Sequence, residues 1–207
     1  LHLCDRRQRQ MCIRDSISMD QERALKKVPK SSAFAESALS EARLLKSLEH
    51  PSIPRIFDFE EDNAFYYIVE EYIDGETLDS FLLHQQLISL GLFFNICEQL
   101  CNVFIYLHTQ ISTPIIYRDL KPEHIIVCHN KLKLIDFGVS AYVIQDGNNF
   151  NHYGNIEFSA PECFTEDTIT PAADIYSLGQ LLQYILTFTP DSFSHKFQHI
   201  ILSLIHI

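Results

Sequence analysis

The chain has 207 residues, 46% of them hydrophobic and 21% charged, and a formal net charge of −11. An acidic chain of this kind lacks the electrostatic footprint of a nucleic-acid or anionic-membrane binder, and its length suffices for a core shared by one domain or two lobes. Six cysteines without a CxxC pair or a zinc spacing point to a reduced, cytoplasmic protein with buried thiols rather than a disulfide framework.

The two ends read differently from the rest. Arg6 to Asp15 reverse-translates codon by codon into a transposase-type DNA-sequencing adapter, and Leu202 to Ile207 into the reverse complement of that adapter's end. Residues 1–16 and 202–207 are therefore expected to be non-native, the first packing on nothing; the plainer alternatives are a basic arm and a helix end. The natural sequence would then be an internal fragment over 17–201, with a charge of −13 once residues 1–16 are set aside.

Arg23 to Val28 reads as a strand ending at Pro29, and Ser37 to Leu48 as an amphipathic helix that stops before His50-Pro51. Ile53–Phe59 and Phe65–Tyr72 read as strands around an acidic turn, Glu60–Asn63, and Asp74-Gly75 breaks the chain after them. Leu92 to Thr109 is a long apolar helix, in whose core Cys97 and Cys101 are expected to lie rather than form a redox site. Ile125–Val127 and Lys131–Ile135 form a hairpin turning at His129-Asn130, and Asp174 to Phe188 is an apolar helix too short to span a bilayer. Strands first and helices later imply an α+β protein in two unequal parts, 17–74 and 75–201.

Tyr117-Arg118-Asp119-Leu120-Lys121-Pro122-Glu123-His124 is followed by Asp136-Phe137-Gly138 and then by Ala160-Pro161-Glu162. In this order and spacing the three resemble the HRDLKPEN, DFG and APE motifs of eukaryotic-type (Hanks-type) serine/threonine protein kinases. Asp174-Ile175-Tyr176-Ser177-Leu178-Gly179 resembles the DxWSxG start of that family's buried helix. The resemblance implies a bilobal kinase-like fold, here truncated at both ends, and a bacterial source. It also implies transfer of the ATP γ-phosphoryl group to a protein serine or threonine.

On that resemblance Lys26 is the phosphate lysine, Glu41 its acidic partner, and the backbone of Glu71 to Ile73 meets adenine, with Glu70 at the gatekeeper position. Asp119 orients the substrate hydroxyl, Lys121 reaches the γ-phosphate, Asp136 chelates magnesium, and the two pairs Lys26–Glu41 and Asp119–Asp136 converge on one cleft. Tyr117, Arg118, Phe137, Gly138, Asn155, Glu162 and Asp174 shape the loop and the activation segment, and Leu45, Ile56, Tyr117 and Phe137 fall on the family's hydrophobic spine. The resemblance also implies that Asp174 anchors the backbone of the catalytic loop, and an N-capping role for it is compatible with this.

His124 departs from the family. Asparagine's oxygen suits the second magnesium; imidazole suits softer ions, so manganese becomes an alternative. Two readings stay open: a working kinase with altered metal preference, or a pseudokinase acting as a nucleotide-responsive scaffold. No glycine-rich loop precedes Lys26, so this fragment is itself expected to be inactive. The expected partners are ATP and a protein substrate, with no nucleic acid and no membrane segment.

Overall fold

The computed structural model describes residues 12–14, 22–142, 157–165 and 169–205. The chain divides into two compact units, Leu1–Asp74 and Gly75–Ile207.

The first unit is a four-stranded antiparallel sheet. Its order is β1 (Cys12–Arg14), β2 (Arg23–Pro29), β4 (Phe65–Glu71), β3 (Ile56–Glu61). Alternation along β2 turns Ala24, Lys26 and Val28 to a buried face. That face packs under α1 (Ala35–Lys46), which buries Ala35, Ala38, Ala42 and Leu45 at helical spacing. On the opposite face, charge lies over aromatic rings: Lys27 Nζ stands 4.0 Å from the Phe65 ring centre and the Arg23 guanidinium 4.0 Å from that of Phe57.

Element boundaries moved where local chemistry overrides the hydrophobic pattern. The strand expected from Ile53 starts at Ile56, since Pro54 cannot donate to a ladder. Glu60 and Glu61 belong to that strand, and the turn is made by Asp62, whose Oδ1 accepts from the N–H of Ala64 and of Phe65, each at 2.7 Å. Those two bonds hold the Asp62 carboxyl below its ordinary range. Helix α1 ends two residues early because Ser47 and Leu48 close the last turn with i→i−3 bonds to Leu44 and Leu45.

Residues 1–16 do not all stand apart as expected: Cys12–Arg14 pairs with β2, Ile13 opposite Leu25. Backbone pairing is indifferent to side chains, and the open edge of β2 can take any extended segment.

In the second unit, β5 (Glu76–Thr77), β7 (Ile125–Cys128) and β8 (Lys131–Leu134) form one small sheet. The pair β6 (Ile115–Ile116) and β9 (Ala141–Tyr142) forms another. Helix α2 (Leu78–Gln85) is capped by Thr77, whose Oγ1 accepts from the Ser80 N–H at 3.2 Å. Ser89 does the same for α3 (Leu90–Ile105) through Leu92. Helix α3 buries Phe93, Ile96, Leu100, Val103 and Phe104 and runs on into a π-helical turn, Tyr106–Gln110. The whole helical stretch Leu90–Gln110 is long and apolar enough to cross a bilayer by length and composition. Here its buried face fills the unit's core. Cys101, expected in that core, is exposed, and Cys97 only partly buried, because both sit off the 93–96–100–104 face.

The chain continues through α4 (Glu162–Thr165), α5 (Ala172–Leu186) and α6 (Asp191–Ile205). Helix α5 buries Leu178, Leu181, Leu182 and Ile185. Beside α4 a small core gathers Ile116, Ala160, Cys163, Ile169 and Ala173. No element was expected over 191–201, where α6 forms. Its Phe193 and Phe197 join Phe93 and Phe94 in an aromatic cluster, with ring centres 4.3–5.8 Å apart. Residues 202–205, expected as a foreign tail, extend this helix by a turn.

Candidate functional site

In the first unit Lys26 and Glu70 lie on the buried face of the sheet, under the helix that carries Glu41. Lys26, only 6% exposed, extends from β2 to α1, where its Nζ meets Glu41 Oε2 at 2.7 Å. Lys26 and Glu41 lie 15 residues apart in sequence, and the helix register brings them together. At this burial neither group is stable without the other, so the pair fixes α1 on the sheet. Glu70 belongs to the same face, opposite Ala24 on β2 and Ile56 on β3. Burial pushes its carboxyl up to about 7, with Lys26 pulling it down and Glu41 adding to the rise. Glu71 ends β4 with its N–H on the Arg55 carbonyl at 2.9 Å and its Oε2 accepting from the Arg55 N–H at 3.2 Å. Ile73 follows, partly buried, just before the unit ends.

The second unit holds the loop. Asp174, fully buried, sits in the first turn of α5, not at its N-cap, where Pro171 stands. Its carboxylate is committed elsewhere: Oδ2 accepts from the Tyr117 N–H at 2.8 Å, and Oδ1 from the Arg118 N–H at 2.9 Å. His108 Nε2 lies 2.8 Å from the same Oδ2. This anchor holds Arg118 at φ 74°, a left-handed conformation that costs a non-glycine residue on the order of 1–2 kcal/mol. Asp136 is likewise at φ 61°. Two strained residues thus bracket the loop. Tyr117 is fully buried, donates its hydroxyl to the Ile135 carbonyl, and meets the Phe137 ring edge-on at 5.0 Å.

Asp119 and Lys121 form an ion pair at 2.8 Å, each about a fifth exposed. His124 ends a 3₁₀ turn, Pro122–His124, and stands between the two carboxylates. Its Nδ1 is 3.3 Å from Asp119 Oδ2 and 3.1 Å from the Asp119 carbonyl, while Nε2 is 3.5 Å from Asp136 Oδ2. Gly138 donates its N–H to Asp136 Oδ1 at 3.4 Å. Among the described residues no group of three or more His, Cys, Asp or Glu side chains is spaced to hold a metal unaided. Asp136, with at most one nitrogen of His124, would supply the protein's share of ligands, leaving the remainder to phosphate oxygens and water. That donor set fits a divalent ion of the magnesium or manganese type.

Glu162 opens α4 directly after Pro161. Asn155 lies outside the described residues. Two residues that organise the site escaped the sequence reading. His108 follows the apolar α3 stretch with no local signal of its partner 66 residues away. Gln99 ties α3 to the hairpin, accepting from the Leu132 N–H at 2.8 Å and donating to the Asn130 carbonyl at 3.0 Å.

A helix-braced antiparallel sheet carrying a buried Lys–Glu pair, and a helical unit presenting an aspartate–lysine loop on a buried aspartate, define an α+β protein of kinase-like fold. The chain belongs to the protein kinase family: the model of the protein kinase domain matches residues 12–206, reaching into both end segments. It is similar to the serine/threonine-protein kinase PrkC of Bacillus subtilis, 31% identical over 182 residues, covering 84% of this chain and 27% of that protein. Calcium-dependent protein kinase 4 of Plasmodium falciparum is 32% identical over 171 residues, covering 80% of this chain and 31% of that protein. Serine/threonine-protein kinase PknB of Mycobacterium tuberculosis is 30% identical over 174 residues, covering 77% and 27%. The chain therefore spans about a quarter to a third of the length of these curated relatives.

Proposed function

We propose that the whole protein transfers the γ-phosphoryl group of ATP to a serine or threonine hydroxyl of a protein substrate in the cytoplasm. The observation that carries this reading is the loop frame: Asp119 held beside Lys121 at 2.8 Å, on a backbone fixed by buried Asp174. In the reaction Asp119 orients the incoming hydroxyl and takes its proton, while Lys121 offers its charge to the transferring group. Lys26, held by Glu41, neutralises the α- and β-phosphates, and the backbone of Glu71 to Ile73 meets the adenine. Asp136 would hold the divalent ion, which when bound neutralises charge on the phosphate oxygens.

The test is transfer of label from γ-labelled ATP to protein serine or threonine, with α-labelled ATP as the control. Asp136→Asn is expected to fold normally and Lys26→Ala to fold with lower stability, since it leaves Glu41 without this partner; each is expected to lose on the order of 100-fold or more in rate. Unchanged transfer by Asp136→Asn removes the metal role assigned to it.

A second reading, a nucleotide-responsive pseudokinase, is favoured by one observation: His124 already bridges Asp119 and Asp136. A protonated imidazole there holds a cation's place, whereas a neutral one offers a nitrogen that manganese accepts more readily than magnesium. The working-kinase reading expects a wild-type preference for manganese and a gain of magnesium-supported rate in His124→Asn. Nucleotide binding without transfer, with either metal and in both proteins, selects the pseudokinase.

A further inference from the structure

Among the described residues, Lys26, Glu41 and Glu70 meet at the buried face of the first unit, which is one acid more than the ion pair uses. Lys26 stands opposite Ile68 and Ala24 opposite Glu70, so Lys26 and Glu70 are diagonal neighbours on one face of the β2–β4 ladder. Helix α1 covers that face and brings Glu41 to Lys26 at 2.7 Å. Directly opposite Glu70, the neighbouring strands place Ala24 from β2 and Ile56 from β3. Neither has a side chain able to donate a hydrogen bond. The charged groups acting on its carboxyl are Lys26 from β2 and Glu41 from α1.

We propose that Glu70 is a positioning residue for Lys26: carrying its proton it leaves the ammonium to Glu41, and ionised it becomes a rival carboxylate for the same ammonium. The proposal rests on Lys26 being the phosphate lysine. Only a proton passes to solvent in the step, and the charge of the three-residue cluster goes from zero to minus one. Two consequences follow for an incoming polyphosphate. Lys26 is drawn from the position in which Glu41 holds it, and the face that receives the phosphates turns net negative. The ordinary solution range straddles this change, because burial has pushed the Glu70 carboxyl up to about 7.

The first arm uses the 207-residue chain without nucleotide. The Glu70 carboxyl carbon is followed by NMR and assigned by its loss in Glu70→Gln; the Lys26 side-chain nitrogen is assigned with Lys26→Arg. The expected result is a Glu70 titration between pH 6 and 8, with Lys26 moving in the same step and standing still in Glu70→Gln. A Glu70 that has finished titrating below pH 5.5, or a Lys26 signal that ignores the step, overturns the proposal. Through-bond correlation to the backbone assigns both wild-type signals directly, so the titration stands even where a variant does not fold.

The second arm compares dissociation constants for ATP in wild type and Glu70→Gln from pH 6 to 8.5. The nucleotide's own titration cancels in their ratio. Wild type is expected to bind about tenfold more weakly than Glu70→Gln at pH 8.5, the size of one added unit charge at short range, and equally well at pH 6. A flat ratio overturns the proposal if Lys26→Ala still weakens ATP binding at pH 6. If Lys26→Ala binds ATP as wild type does, the phosphate-lysine reading itself fails, and with it Glu70's role toward the nucleotide, whatever the first arm shows.

Discussion

Asp174 shows how one side chain can carry a loop. Its two oxygens take two consecutive backbone N–H groups and the ring of His108, all within 2.9 Å, in a fully buried setting. A buried carboxylate with this many donors is replaceable neither by a cap nor by a neutral isostere. Asp174→Asn keeps the shape but gives up an acceptor and turns an N–H toward donors. The expected loss is about 2–4 kcal/mol in urea unfolding, with the two N–H groups of Tyr117 and Arg118 losing hydrogen-exchange protection. That this residue anchors the loop backbone was legible through the family resemblance, and the compatible N-cap role is not taken up, since Pro171 stands there. Which N–H groups a buried carboxylate accepts depends on a segment 57 residues away, and no local pattern encodes that. That Asp119 and Lys121 stand together was legible because they share one short motif, with Asp136 in a second one close by, and His108 was missed because its partnership is not local.

At the scale of elements, the helices and strands with strong periodicity were readable, and their ends were not. Helix α3 was expected from Leu92 and starts at Leu90, since Ser89 caps it. The expectation that Cys101 is buried treated an apolar helix as buried all round, yet Leu90, Phe94 and Ile105 on it are also exposed. Composition gives apolarity; only packing selects the face. The short pair β5–β7 was invisible, having two residues on one side. It is nonetheless tightly specified by Gly75: a Cβ there would stand 2.3 Å from the Val127 carbonyl oxygen and 2.7 Å from Ile126 Cγ2. Backbone cannot yield as a flexible side chain does. Gly75→Ala is therefore expected to cost about 1–3 kcal/mol, seen as a lower urea midpoint with little change in slope.

For the whole molecule, the α+β class followed from the order of elements, and membership of the kinase family from three short motifs in sequence. Global stability should carry the signature of Glu70. Unfolded, its carboxyl titrates at about 4.5; folded, burial holds the proton up to about 7. A carboxyl raised in this way binds more protons folded than unfolded within that window. Its contribution is complete below about 4.5 and is lost as pH rises through about 7, by on the order of 3 kcal/mol. Glu70→Gln removes that term. The stability difference, variant minus wild type, should rise between pH 4.5 and 7 and level off above, as read by urea unfolding at each pH.

The hydrogen bonds from the loop to Asp174 also set a clock. They join residues 56 and 57 positions apart, and the His108 contact spans 66. A ribosome adding about 5–20 residues per second leaves the Tyr117–Arg118 backbone without its acceptor for roughly 3–11 s after it is made. Until α5 has been synthesised and folded, nothing offsets the left-handed Arg118, and the loop has no reason to hold its working shape. The nascent protein thus acquires Asp119 early and the backbone geometry that places it late, once the second unit has closed around its own buried acid.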